Sequence, residues 1–310
     1  MDGLILVNKP QDITSHDVVK KIRKITGEQK VGHFGTLDPL ATGILIIALG
    51  KATRFFSFYS GKDKAYTGEL KFGYATDTYD SAGIPISKPM TKYPEKKLIL
   101  KEIKKLTGKI IQEPPPFSAK KFKGKPLYFY ARKNEPVKVP PENVIIHSFD
   151  LLSYSPPVMQ FEVKCSSGTY IRSLVHDLGQ NLGCGGHLTA LCRTQCAGYS
   201  LEQCFSLKDI ERSVSQLKIS NVIFPLNRLL PEYSKLIIKN TALPAVLNGN
   251  LISPENIAKI EKSHTPSAAE NELLFRVFSQ KDEFIALAKK NTEKICFHPF
   301  LVLDSPSSIH

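Results

Sequence analysis

The sequence predicts an α+β protein, in which a mixed, mostly antiparallel sheet flanked by helices precedes a small β-rich domain. The predicted strands and helices lack the strict βαβ alternation that builds parallel sheets. A chain of 310 residues with 42% hydrophobic residues can bury one large core and a smaller one. Near the C-terminus, residues 273–279 and 283–288 flank a short turn and predict a β-hairpin. We place the boundary at Leu230–Pro231, which gives domains of residues 1–230 and 231–310.

The first elements are a buried strand and an amphipathic helix. The apolar run GLILVN at residues 3–8 predicts the strand. Ser15 is suited to be the N-cap of the helix, and Gly27 is suited to end it. Helical spacing relates the apolar residues Val18, Val19, Ile22 and Ile25.

A half-buried strand and a basic helix follow. Residues 66–75 alternate between apolar and polar side chains, which predicts a strand with one buried face. The apolar face carries Tyr66, Leu70, Phe72 and Tyr74. Residues 95–107 surround an apolar stripe with lysines and predict an amphipathic helix with Gly108 as its C-cap.

The segment that starts at Pro114 mixes proline, lysine and aromatic residues without a clean period. We interpret it as an insertion over about residues 114–154. Residues 160–165 alternate as a strand, and a helix begins near Thr169 and ends with Gly183 at its C′ position.

The charge of the chain is strongly basic and uneven. Lysine and arginine number 42 against 29 acidic residues, a net charge of +13. Between Lys88 and Lys133, fourteen basic and three acidic residues give a net charge of +11 within 46 residues. Such a concentration predicts an anion-binding face, most often one for nucleic acid.

Composition also bears on location. No run reaches the roughly 18 apolar residues of a membrane span. The N-terminal MDGLILVNKP contains an early acid and a short apolar run, which argues against a signal peptide. Six irregularly spaced cysteines do not form a disulfide framework. We therefore expect a cytoplasmic protein with no membrane partner.

The common cofactor motifs do not occur in the sequence. It has no P-loop, no Gly-x-Gly-x-x-Gly after a strand and no His-Glu-x-x-His, so we expect no cofactor. A weak zinc alternative has irregular spacing and intervening apolar residues, so we prefer free cysteines and expect no metal. Its candidate ligands are Cys184, His187, Cys192 and Cys196.

A single carboxylate stands out in GHFGTLDPLATGILIIALG at residues 32–50. Asp38 is either an ordinary Asp-Pro turn residue or a reactive acid on a rigid loop, and the residue alone does not decide. Arg172 lies in the first turn of its predicted helix, where a cation opposes the helix dipole, which favours pairing with a buried acid. Tyr66 and His33 have structural interpretations as a core tyrosine and a loop-filling histidine.

Five segments in one order make the chain resemble the TruB family of bacterial pseudouridine synthases, which modify uridine 55 in the T-loop of tRNA. The segments are GLILVNKPQDITSHDVV, GHFGTLDPLATGILIIALGKATR, DKAYTGELKFGYATDTYDSAG, PPPFSAKKFKGKPLYFYAR and CSSGTYIRSLVHDLGQNLGCGGHLTAL. They extend from residue 3 to about residue 200. The resemblance implies the pseudouridine synthase catalytic fold and a PUA-like RNA-binding domain at the C-terminus.

The resemblance assigns a role to individual residues. The family's catalytic aspartate falls on Asp38, its base-stacking tyrosine on Tyr66 and the arginine that pairs with the aspartate on Arg172. The histidine of its base-flipping loop falls on His33. The expected RNA contacts are His33, Tyr170, Lys120, Lys121, Lys123 and Lys125.

Two residues depart from the family pattern. Phe34 replaces a common threonine in the loop that is expected to meet RNA. Cys192 replaces the first arginine of an Arg-Arg-Thr run, which removes one RNA or structural contact.

The implied reaction breaks the N1–C1′ bond of uridine and joins C5 to C1′, without redox change. Asp38 must be ionised, and a neighbouring guanidinium favours the charged form of a carboxyl group. A planar guanidinium can hold a carboxylate bidentately, which lysine cannot do. Attack at C1′, attack at C6 and a glycal route all stay open.

The target uridine must leave its stacked loop, at a cost of a few kcal/mol. Stacking on Tyr66 is worth roughly 1–3 kcal/mol, so phosphate contacts from the lysines must supply the remaining affinity. The expected partner is the T-stem-loop of tRNA, bound by a monomer.

Two other functions remain open. A non-catalytic RNA-binding protein would share the basic charge but would not need Asp38, Tyr66 and Arg172 together. A glycosidase would need two paired acids, and we interpret Asp77 and Asp80 as loop acids. A solvated lysine-rich loop is the structural alternative for the lysines of residues 120–125.

Overall fold

Seven α-helices and seventeen strands occur in the computed structural model, which describes residues 1–133, 135, 137–263, 273–293 and 295–303. The helices are α1 (Ser15–Thr26), α2 (Phe56–Ser60), α3 (Lys96–Lys105), α4 (Leu127–Ala131), α5 (Ile171–Asn181), α6 (Leu207–Ser215) and α7 (Leu243–Leu247). The strands are β1 (Gly3–Lys9), β2 (Val31–Phe34), β3 (Thr42–Leu49), β4 (Lys64–Phe72), β5 (Gly108–Gln112), β6 (Lys121–Phe122), β7 (Lys125–Pro126), β8 (Glu142–Ser155), β9 (Val158–Cys165), β10 (Gly186–Cys196), β11 (Tyr199–Ser200), β12 (Phe224–Pro225), β13 (Ser234–Ile238), β14 (Ile257–Glu261), β15 (Leu274–Phe278), β16 (Phe284–Asn291) and β17 (Cys296–Val302).

The chain divides into two units. The larger consists of Ile5–Ala48 and Thr53–Val222. The smaller consists of Met1–Leu4, Leu49–Ala52 and the described residues from Ile223 onward. It starts before the expected boundary at residue 231 because β12 pairs with the first residues of β1.

The large sheet has the strand order β1-β3-β10-β4-β9-β8-β5, with β2 on β3 and β11 on β10. Strand β4 pairs antiparallel with β10 and β9, and β8 pairs antiparallel with β9 and β5. The pairing of β10 with β3 is parallel. The predicted mixed, mostly antiparallel sheet is therefore confirmed.

Periodic patterns explain these elements. Seven of the eight residues of β3 are buried, as its continuous apolar sequence requires. Strand β4 buries Tyr66, Leu70 and Phe72 on one face, although it begins and ends slightly earlier than predicted. Helix α1 ends at Gly27, whose φ of 71° suits a glycine C-cap.

Two predicted helix ends are wrong. The N-cap of α1 is Thr14, which forms a capping box with Asp17, whereas Ser15 is buried. Helix α3 is capped at Leu106, because Gly108, with a φ of 96°, already begins β5. The expected Gly183 at the C′ position of α5 is confirmed, with a φ of 71°.

The predicted insertion over residues 114–154 is too long. Strand β8 belongs to the large sheet, where Val144, Ile146 and Phe149 are buried. A register shift between Ile146 and Ser148 interrupts the alternation of buried and exposed residues. The part before β8 contains the β6–β7 hairpin and α4.

The smaller unit contains a five-stranded sheet in the order β14-β13-β15-β16-β17. The predicted C-terminal hairpin is confirmed as the antiparallel pair β15–β16. The core residues of this sheet include Leu236, Ile238, Val277, Ala286 and Phe297. Among the residues that the structure describes, no helix combines the length and apolar character needed to cross a bilayer.

Candidate active site

Asp38 lies on the loop that joins β2 to β3, and three side chains hold this loop. The Ser15 hydroxyl accepts a hydrogen bond from Leu37 N at 2.8 Å and lies 3.1 Å from Leu37 O, to which it donates. The Lys9 ammonium donates to Pro39 O at 3.3 Å. On the other side, Arg193 donates to Gly35 O at 3.2 Å and to Thr36 O at 3.3 Å. The loop therefore presents Asp38 from a fixed backbone.

Arg172 meets Asp38 from the first turn of α5. Arg172 Nε lies 2.8 Å from Asp38 Oδ2 in an ion pair. The Arg172 side chain is only 5% exposed and is therefore shielded from solvent. The Asp38 side chain is 40% exposed and is therefore accessible to a reactant. The structure thus brings the two residues together, as expected from the sequence.

The pair differs from the expected bidentate geometry. Arg172 Nε–H does not point at the Asp38 carboxylate closely enough to form a hydrogen bond, so the contact is one of charges. The terminal nitrogens face elsewhere: NH1 donates to Thr78 O and NH2 donates to Phe117 O, each at 2.9 Å. The guanidinium therefore joins three segments of the chain.

Asp80 is a second carboxylate on the same guanidinium, with Oδ2 3.5 Å from Arg172 NH1. Its other oxygen accepts hydrogen bonds from the Thr78 hydroxyl at 2.6 Å and from Ala82 N at 3.0 Å. Asp80 lies in a loop, as interpreted from the sequence, but it is only 6% exposed and its contact with Arg172 was not expected. The sequence feature that could have identified Asp80 is its place in the acidic TDTYD at residues 76–80, within one of the five segments that carry the family resemblance.

Tyr66 and Arg193 lie side by side on β4 and β10, where they are register partners. Both are buried, at 6% and 1% exposure. Burial raises the pKa of Tyr66 to about 12, and the nearby Arg193 guanidinium opposes that rise. The phenol is therefore neutral at physiological pH. Sequence reasoning did not select Arg193, although a charge within a largely buried strand is a detectable signal.

Tyr170 fixes the start of α5. Its backbone N donates to Gln112 Oε1 at 2.7 Å, and Gln112 Nε2 donates to Tyr170 O at 3.1 Å. Gln112 is 1% exposed, so this exchange is rigid and sets the position of Arg172 two residues later. Burial raises the pKa of the Tyr170 phenol, which is therefore neutral as well.

These residues enclose a cleft of about 390 Å³. Both polar and apolar side chains line it, as is common in small-molecule sites. The lining side chains that carry charge or an aromatic ring are Asp38, Lys64, Tyr66, Lys120, Glu142, Tyr170, Arg172 and Arg193.

His33 and Phe34 lie outside this lining, in β2. Burial lowers the pKa of His33, so its imidazole is neutral at pH 7. Phe34 was expected to meet RNA but is 2% exposed and stacks on Tyr59 with ring centroids 5.3 Å apart. Its departure from the family pattern therefore changes the core.

The four predicted RNA-binding lysines fall into two groups. Lys120 lines the cleft, where its ammonium lies 2.7 Å from Glu142 Oε1 and 3.0 Å from Pro140 O. Lys121, Lys123 and Lys125 are exposed on the β6–β7 hairpin. The hairpin turn has positive φ at Lys123 and Gly124, at 46° and 81°.

The zinc alternative requires several His, Cys, Asp or Glu side chains to converge on one point. Within the described ranges, no three or more His, Cys, Asp or Glu residues are arranged to hold a metal ion. His187 Nδ1 instead lies 3.1 Å from Tyr74 O. All six cysteines are free thiols.

The cleft combines an accessible carboxylate, a buried arginine paired with it and a buried tyrosine, a set of groups suited to acid–base or nucleophilic catalysis. Two family models match the chain. Residues 23–171 match the N-terminal domain of TruB family pseudouridylate synthases, and residues 172–231 match the C-terminal domain of tRNA pseudouridylate synthase B.

Similar proteins agree with these models. Proteins named tRNA pseudouridine synthase B are 39% identical in Solibacter usitatus, over 80% of this chain and 85% of that protein, and 35% identical in Dehalococcoides mccartyi, over 96% and 95%. The chain therefore belongs to the TruB family of pseudouridylate synthases, enzymes that isomerise uridine in RNA to pseudouridine.

Solved structures show the same fold. A chain in the structure of an H/ACA RNP bound to a substrate RNA containing 2′-deoxyuridine has a TM-score of 0.71 and 25% identity, over 97% of this chain and 84% of that one. A chain in a Cbf5-Nop10-Gar1 complex has a TM-score of 0.71 and 28% identity, over 98% and 86%. The family models end at residue 231, so the PUA-like character of the C-terminal domain stays a prediction.

Proposed function

We propose that this enzyme converts uridine 55 in the T-loop of tRNA to pseudouridine, with Asp38 as the reacting carboxylate. The ion pair between Asp38 and Arg172 at 2.8 Å, at the mouth of a cleft, carries this proposal. The name shared by the relatives, tRNA pseudouridine synthase B, supports tRNA as the substrate.

In the proposed reaction, the N1–C1′ bond breaks, the uracil turns within the cleft, and C5 bonds to C1′. The proton on C5 then leaves to solvent and a proton returns to nitrogen, so the reaction is an isomerisation with no net gain or loss of atoms. Asp38, which is 40% exposed, is accessible to C1′ or C6 of a bound nucleotide. Arg172 keeps the carboxylate oriented because three other acceptors fix its guanidinium.

The remaining residues capture the base. The neutral Tyr66 ring stacks on the extruded uracil, at a gain of roughly 1–3 kcal/mol that offsets much of the extrusion cost. His33 occupies the space that the base leaves in the RNA. The hairpin lysines 121, 123 and 125 and the pocket residue Tyr170 hold the T-stem-loop, in keeping with their exposure and position.

We also propose that the enzyme acts as a monomer in the cytoplasm. Its six free cysteines suit a reducing compartment. The relatives' names refer to tRNA modification, which fits a cytoplasmic setting.

The test is tritium release from a tRNA transcript labelled at C5 of uridine. Wild-type enzyme should release tritium from a transcript with uridine at position 55 and none from one with cytidine there. Release from the cytidine transcript would contradict the choice of site. The Asp38→Asn variant should bind tRNA within a few-fold of wild type and release no tritium, and normal turnover by it would exclude Asp38 as the reacting acid.

A further inference from the structure

Four cations and two carboxylates line the cleft among the described residues. Both carboxylates already have cationic partners, because Asp38 pairs with Arg172 and Glu142 pairs with Lys120. Lys64 and Arg193 are left without a carboxylate partner in the described part of the chain. The excess positive charge of the cleft therefore lies on its β4–β10 wall.

The contacts of Lys64 leave its ammonium available to a ligand. Nζ donates to Lys62 O at 2.7 Å and to Ser60 O at 3.2 Å, and an ammonium has three donors. The side chain is half-buried, and Lys64 lines the cleft. Burial lowers its pKa, with a smaller contribution from the Arg193 guanidinium.

Arg193 adds to the positive potential at this wall. Its guanidinium donates to Ile44 O at 2.8 Å and to two carbonyls of the Asp38 loop. A Cβ added at Gly35 would lie 3.6 Å from Arg193 NH1 and 3.7 Å from Lys64 Cε. Both cations thus lie against the loop that carries Asp38, and a glycine leaves open the space next to them.

We propose that Lys64, supported by Arg193, binds a backbone phosphate that flanks the target uridine. A half-buried cation without an acid partner is matched best by an anion from the substrate. RNA supplies one phosphate on each side of every nucleotide, so the group that is bound travels with the flipped base. This subsite would anchor the sugar while the uracil turns, and it rests on the proposed function.

The experiment combines one protein variant with one neutralised phosphate. Lys64→Met removes the charge at similar side-chain length, and Lys64→Arg keeps it. Lys71→Met is the matched control, because Lys71 is on the same strand but on the opposite face of the sheet. The substrates are T-stem-loop RNAs with a methylphosphonate immediately 5′ or 3′ of the target uridine, and the readout is single-turnover pseudouridine formation.

We expect Lys64→Met to slow single-turnover pseudouridine formation on unmodified RNA, at subsaturating enzyme, by about 10- to 100-fold, the range of a charged hydrogen bond. Lys64→Arg should retain most activity and Lys71→Met should retain nearly all. Neutralising the bound phosphate should cost the wild type a similar factor but cost Lys64→Met less than about 3-fold, because the partner is already lost.

Two results would overturn the subsite. One is that Lys64→Met loses as much activity on each methylphosphonate RNA as the product of the two separate losses predicts. The other is that neither methylphosphonate slows the wild-type enzyme, a test that needs no folded variant. Failure of the wild type on unmodified RNA would instead contradict the proposed function itself, so the two failures are distinguishable.

Discussion

Replacing Arg172 by lysine tests how the site is held together. The guanidinium serves Asp38, Thr78 O and Phe117 O with three different nitrogens. A single ammonium cannot occupy all three positions. Each buried carbonyl left without a donor costs about 1–3 kcal/mol, so we expect Arg172→Lys to lower the free energy of unfolding by about 2–4 kcal/mol.

Activity should fall more than binding. Misplacing a reacting group by about 1 Å can cost on the order of 10²-fold in rate, and Arg172 is the residue that orients Asp38. We therefore expect single-turnover pseudouridine formation to slow by about 100-fold while the Kd for tRNA changes only a few-fold. The two quantities are measured under saturating enzyme and by filter binding.

Arg212→Lys is the matched control, because Arg212 is exposed on α6. It should stay within about 0.5 kcal/mol of wild type in denaturant unfolding and leave the rate unchanged. Equal losses in Kd and rate for Arg172→Lys would mean that the arginine contacts a phosphate. An unchanged unfolding free energy would mean that its carbonyl contacts are not structural.

Other predictions follow from charge. Changing the three hairpin lysines 121, 123 and 125 to glutamine should flatten the salt dependence of tRNA binding by roughly 0.7 per lost phosphate contact, whereas Lys120→Gln should matter less because Glu142 already holds its ammonium. An unchanged slope of log Kd against log salt concentration would mean that these lysines do not contact RNA phosphates. Burial, with Glu113 adding, raises the pKa of Asp177 to about 6. Because the pKa is higher in the folded state, the contribution of this carboxyl group to folding stability is fully present below about pH 4. It is lost as pH rises through about 6. Asp177→Asn should therefore stabilise the protein by about 1 kcal/mol at pH 8 and not at pH 4, and equal unfolding free energies at pH 8 would contradict this.

The fold was predictable where local patterns determine it. The continuous apolar run of β3 and the helical stripe of α1 both end up in the core. Helix ends were less predictable, because Ser15 ranks above Thr14 as an N-cap by residue type, yet Thr14 is the cap. The choice falls on Thr14 since the Ser15 hydroxyl is needed to hold Leu37 of the Asp38 loop.

The site was predictable only in part. The pairing of Asp38 with Arg172 followed from a family resemblance, since no local pattern relates two residues so far apart in sequence. Asp80 and Arg193 were missed for the same reason. Their importance depends on burial at 6% and 1%, which arises only when distant segments pack together.

The Arg172 guanidinium also relates the insertion to the chemistry. Phe117 O belongs to the insertion that continues into the lysine hairpin, and Thr78 O belongs to the loop that carries Asp80. A guanidinium is planar and rigid, so a displacement of one acceptor rotates the plane that faces the others. Asp38 and the base of the insertion, which are on different segments, thus share one guanidinium. We therefore expect a displacement of Phe117 O to disturb the contact between Arg172 and Asp38.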